Sequence, residues 1–124
     1  MEIMLFWIYL LNSILLINHE IDSAYWKEWN LFHLPGGIGA FLLLHFPLLF
    51  VVLFGLVEIK QVQTTGLIIS FLLGAGGIFA FTIHRYFIRK GHQEFRTAIS
   101  QFILYSTLIV STIQLILTVY LFVK

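Results

Sequence analysis

The sequence contains no cysteine. That excludes disulfides, thiolate metal sites, iron–sulfur clusters and cysteine nucleophiles, and it leaves the redox compartment open. Charge is scarce as well: six acidic and seven basic residues among 124. No basic run reaches the density that nucleic acid demands, and a net charge of +1 gives no reason to expect it as a partner. Also missing are a His-Glu-x-x-His pair, a paired Glu-x-x-His repeat, a multiple-histidine box, a nucleophile elbow, a phosphate loop and a dinucleotide fingerprint. The beginning of the chain lacks the marks of a cleavable signal. Glu2 stands where a basic region is usual, and no small-x-small site follows the apolar run, so this segment is expected to stay as a helix.

What is present is mostly hydrocarbon. Sixty per cent of the residues are hydrophobic and the mean hydropathy is +0.96, far from soluble domains. A chain of 124 residues has room for one membrane domain. Four apolar runs predict an all-α integral membrane four-helix bundle with short loops, with spans at approximately 3–22, 36–57, 66–84 and 99–123. Lipid leaves open backbone groups without partners, so each span must be helical.

The first run, Ile3–Ile17, is short. At ~1.5 Å per residue it reaches only ~22 Å of a ~30 Å hydrocarbon core. Continuing the helix through Asn18-His19-Glu20-Ile21-Asp22 makes up the difference and carries those side chains into the bundle. At ~100° per residue, Asn12, His19, Asp22, Trp26, Trp29, Asn30 and His33 share about a third of a turn. Beyond Asp22 two readings stay open. Residues 23–34 are either more helix or an interfacial loop anchored by Tyr25, Trp26 and Trp29. Pro35-Gly36-Gly37 then breaks the chain and opens the second span.

That second span carries His45 two residues before Pro47. Ten steps from Pro35 put it ~15 Å deep, near the midplane. Pro47 frees the carbonyl of Leu43, and a neutral His45 donating to a backbone carbonyl of this kind is the plainest account of it. In the third span Gly66, Ser70 and Gly74 have small-xxx-small spacing, which suits a contact with a second copy of the chain. His84 shares their face and is expected to point inward. In the fourth, Ser100, Thr107, Ser111, Gln114 and Thr118 form one polar stripe. Interhelical hydrogen bonding explains it, and a substrate path is the alternative.

Basic residues are unevenly placed. Lys27, Arg85, Arg89, Lys90 and Arg96 fall on one side of the membrane, Lys60 and Lys124 on the other. The positive-inside bias puts the first group in the cytoplasm and both termini on the non-cytoplasmic side. Glu20, Asp22 and Glu28 would then stand near Arg85, Arg89 and Lys90, close enough for ion pairs.

Ionisable groups within a membrane mark candidate functional positions. His19, Asp22, His45 and His84 are the candidate metal ligands, a His and carboxylate set suited to zinc, iron or manganese. Glu20, Trp26, Thr107, Ser111 and Gln114 are the candidate ligand-binding residues around them. Such a site would bind a divalent metal ion or a small hydrophobic ligand. The alternatives are an oligomeric proton-coupled transporter or channel unit, with Asp22 or Glu20 titrating, and a scaffold subunit whose polar residues only fix helix register.

The stretch around His19, with Asp22, Tyr25-Trp26 and Pro35, resembles small polytopic bacterial membrane proteins with a His-x-x-acid signature ending the first span, the families named for an HXXEE motif. Asp22 stands where that motif has its first Glu, and Ser23 where it has its second. The resemblance implies a polar helical membrane site and no particular reaction.

Overall fold

The computed structural model describes residues 1–124. It has five helices and no strand: α1 (Glu2–Tyr25), α2 (Glu28–Leu31), α3 (Gly37–Lys60), α4 (Thr64–Arg89) and α5 (Ala98–Val123). The four long helices have 24, 24, 26 and 26 residues. At ~1.5 Å per residue each is ~36–39 Å long, enough to cross a hydrocarbon core of ~30 Å. All four are apolar enough to do so. They pack in a ring, α1 against α3 and α5, and α4 against α3 and α5. This leaves α1 and α4 facing each other across the diagonal.

The interior explains why the apolar runs end up outside. Of the 24 buried residues, eight are hydrophobic and twelve are polar, while Leu43, Phe46, Phe50, Leu72 and Phe79 are exposed. Such a bundle would be inside out in water and is suited to a lipid surround. A polar network holds its middle. Asn12 of α1 donates to Ser111 Oγ at 3.1 Å and to Gln114 Oε1 at 2.9 Å. Gln114 donates to the carbonyl of Ser70 at 2.9 Å, and Ser70 and Thr118 share a 2.8 Å hydrogen bond. Each such contact is worth ~0.6–2 kcal/mol. Leu5, Tyr9, Ile59 and Leu117 close one end of the bundle, and Leu31, Phe95 and Leu104 the other.

Small residues set the spacing. A Cβ at Gly66 would strike the backbone of Ile59, one at Gly74 the side chain of Leu115, one at Gly77 the hydroxyl of Ser111. Gly66, Gly74 and Gly77 thus admit close neighbours within the chain.

α1 runs past Asp22, because Ser13, His19 and Ser23 are buried on its inner face. It stops at Tyr25. The amide of Trp26 returns to Asp22 O and that of Lys27 to Ala24 O, and Lys27 turns left-handed with φ 54°. Residues 23–34 are therefore neither one helix nor one loop, and the single polar stripe extended through Trp29 and His33 ends at this break. After α2 the chain enters α3 through Gly36, whose φ of 99° favours glycine.

Candidate metal centre

His84 lies one turn before the end of α4. Its Nδ1–H donates to the carbonyl of Ala80 at 2.7 Å. That bond fixes the ring and leaves Nε2 as the other nitrogen, buried and without a hydrogen-bond partner. Facing it at 3.3 Å is Glu28 Oε1, carried on the first residue of α2. The third member is His19, from the diagonal helix α1. Its ring meets that of His84 edge to face, with centroids 4.7 Å apart, and its Nδ1 is also buried without a partner. One donor atom from each of His19, Glu28 and His84 lies within 4.8 Å of the other two. Phe95 covers the group, its ring centroid 4.3 Å from that of His84. It holds a left-handed φ of 66°, and Gln101 donates to its carbonyl at 2.7 Å.

The chemistry of the gap is specific. A neutral imidazole nitrogen and a carboxylate oxygen both present lone pairs, so something positive belongs between them. A shared proton draws such a pair to ~2.7–2.9 Å. Two ligands of a tetrahedral zinc, each at ~2.0–2.2 Å, stand ~3.3–3.5 Å apart. The 3.3 Å separation of His84 and Glu28 lies outside the first range and is compatible with the second, and His19 stands within 4.8 Å of both. Two effects compete on the Glu28 carboxyl. Burial pushes its pKa up, but when the two imidazoles carry protons, hydrogen bonding to His84 and Ser23 and the charges of His84 and His19 outweigh it and hold the group below its ordinary value. It is a carboxylate at neutral pH, as a metal ligand must be.

A second pair stands beside this group and has the other geometry. His45 Nε2 lies 2.6 Å from Glu20 Oε2, and its Nδ1–H donates to Phe41 O at 2.6 Å. Both nitrogens are engaged, and the short contact holds a proton. The acceptor is the carbonyl of Phe41, one turn back, not the Leu43 carbonyl freed by Pro47. The ion pairs expected with arginine and lysine are replaced. The carboxylates of Glu20 and Glu28 meet histidines, while Arg85 turns to Gln101 at 3.4 Å and Arg96 to the carbonyls of His92 and Ile88.

Of the four ligands read from the sequence, His19 and His84 are brought together, and Asp22 and His45 stand outside their group. Asp22 leaves Oδ2 buried without a partner, as does Trp26 its Nε1. A cavity of about 480 Å³ reaches the group and is lined by His19, Glu20, Glu28 and His84 at its polar end and by Thr107 farther in. Ser111 and Gln114 belong to the mid-bundle network. A second cavity of about 470 Å³, under Pro35 and Trp29, also touches Glu20 and Glu28 and adds His45.

Glu28 was read as a partner for basic residues and missed as a member of the histidine group. It lies nine residues after His19, which on one continuous helix is ~180° away, on the opposite face. Only the turn at Trp26-Lys27 brings it back over the bundle.

Residues 5–121 match the model of a family of unknown function, DUF6713. The chain belongs to that family. No curated protein and no solved structure matches it. The family match spans all four long helices, so the bundle and the histidine and glutamate group lie within it.

Proposed function

We propose that this DUF6713 member is a membrane-embedded metal-binding protein. His19, Glu28 and His84 hold one divalent transition ion, Zn²⁺, Fe²⁺ or Mn²⁺ by the character of the donors. The observation that carries the reading is the buried, unpartnered His84 Nε2 facing Glu28 at 3.3 Å, with His19 in reach. Two histidines and one carboxylate are a ligand set that leaves at least one coordination position open, and here the adjoining space is the 480 Å³ cavity. An ion so held acts as a Lewis acid toward whatever oxygen enters that space. The positive-inside bias supports a cytoplasmic side for this end of the bundle.

Metal analysis of the detergent-purified protein after reconstitution with each ion tests the reading. The expectation is about one ion per chain for the wild type, lost in His84→Ala and in Glu28→Gln and kept in His45→Gln, whose ring lies outside the group. A wild type that retains no ion, or retains it equally in His84→Ala, sinks the proposal.

A further inference from the structure

A metal ion fills one end of the cavity and leaves the rest to be explained. Along α4 the lining extends from Ile69 to His84, a length of ~22 Å at ~1.5 Å per residue. That exceeds the ~15 Å thickness of one hydrocarbon leaflet, half of a ~30 Å core. Polar groups sit at the metal end, apart from Asn12 and Thr107 on the inner wall. The wall shared by α3 and α4 is hydrocarbon: Leu48, Val51, Leu72 and Phe79. The space is therefore shaped for an amphiphile, with a long apolar part and one polar end.

It also opens in the direction from which an amphiphile would come. α3 and α4 touch closely near their shared turn, where Gly55 meets Ile69 and Gly66 meets Ile59. Farther along, the lining residues Leu72 and Phe79 are 62% and 66% exposed on the outer face of the bundle. Between them Gly76 lines the cavity, and a Cβ built there meets nothing within 4 Å. This glycine is no packing contact, unlike Gly77 beside it. It leaves a notch in the rim that any side chain would fill.

We propose that the cavity is a lateral entrance for a lipid acyl chain, and that the carbonyl or carboxylate oxygen of a single-chain fatty acyl lipid takes the open position of the metal. This rests on the metal reading above. The charge balance agrees with it. A divalent ion with the Glu28 carboxylate and two neutral imidazoles keeps one positive charge, which favours an oxygen anion or a polarised carbonyl over a neutral hydrocarbon end.

Cobalt(II) serves as the probe, because its visible absorption changes when a new oxygen ligand enters. The cobalt-loaded protein is titrated with palmitate and, separately, with acetate, which has the same head and no chain. The wild type should bind palmitate at least about a hundredfold more tightly than acetate at equal total concentration, since the chain partitions out of water into the micelle from which the cavity opens, whereas acetate stays in water. Gly76→Leu should weaken palmitate by about tenfold or more by occupying the notch, while its cobalt content and its response to acetate stay as in the wild type. Retained cobalt also shows that this variant has folded. Equal affinities for palmitate and acetate, or palmitate binding unchanged in Gly76→Leu, overturn the lipid entrance and leave the metal site standing. A wild type that takes up no cobalt removes the metal reading itself, and this inference with it.

Discussion

At the scale of single residues, two histidine–glutamate contacts in one bundle end differ by 0.7 Å, 2.6 Å for His45–Glu20 and 3.3 Å for His84–Glu28. The shorter is a hydrogen bond with its proton in place. The longer leaves room for the cation proposed above, and His84 Nε2 has no hydrogen-bond partner there. Glu28 carries a stability consequence in the absence of metal. Its pKa is below the reference value of 4.5 in the folded chain. A depressed carboxylate contributes stability that is fully present above its unfolded pKa and is lost as pH falls through the folded one. The melting temperature of the metal-free wild type should therefore fall toward that of Glu28→Gln as pH drops from about 6 to about 3. Parallel melting curves across that range would refute the assignment. The chemistry of the site was legible as residue types, and its membership was only half legible. Histidines on two apolar helices announce themselves by their cost in lipid. A glutamate beside tryptophans, lysine and water has no such cost, and its role depends on a turn that helical periodicity does not encode.

At the scale of elements, the third apolar run shows how sequence spacing and packing part company. Gly66, Ser70, Gly74 and Gly77 lie on the buried face of α4, as their spacing predicts, yet the neighbours they admit are α3 and α5 of the same chain. Nothing in the sequence distinguishes a close approach within the bundle from one between two chains. The adjacent pair Gly76 and Gly77 offers a test with opposite signs. Alanine at Gly77 would place a Cβ against Ser111 Oγ and near Thr107 Cγ2, an overpacking that costs about 1–3 kcal/mol. Alanine at Gly76 meets open space and gains the helix propensity that glycine lacks, about 0.8–1.0 kcal/mol. Thermal melting in one detergent should rank Gly76→Ala at or above the wild type and Gly77→Ala below it. The reverse order would mean that α4 is rotated from the orientation described.

At the scale of the molecule, the four-span architecture was readable because lipid imposes it. Length, hydropathy and the demand for satisfied backbone groups leave little but helices, and short connections make them antiparallel neighbours. The ends of the helices were less readable, since α3 and α4 extend to Lys60 and Arg89, past the apolar residues that defined the spans. The two ends of the bundle also differ in charge. The loop between α4 and α5 and the final turns before it hold Arg85, Arg89, Lys90 and Arg96, whereas the turn between α3 and α4 is flanked by Lys60 alone. Positive charge resists translocation, so the end that holds His19, Glu28 and His84 should face the cytoplasm. The absence of cysteine makes the test clean, because a single introduced thiol is then the only one. Gln93 and Gln61 are both exposed, in the turns at opposite ends. In intact cells a membrane-impermeant maleimide should label Gln61→Cys and spare Gln93→Cys until the membrane is opened. Labelling of Gln93→Cys in intact cells would turn the molecule over. It would also put the histidine and glutamate group on the outer side, so that an ion bound there, as proposed above, would come from the surroundings of the cell and not from its cytoplasm.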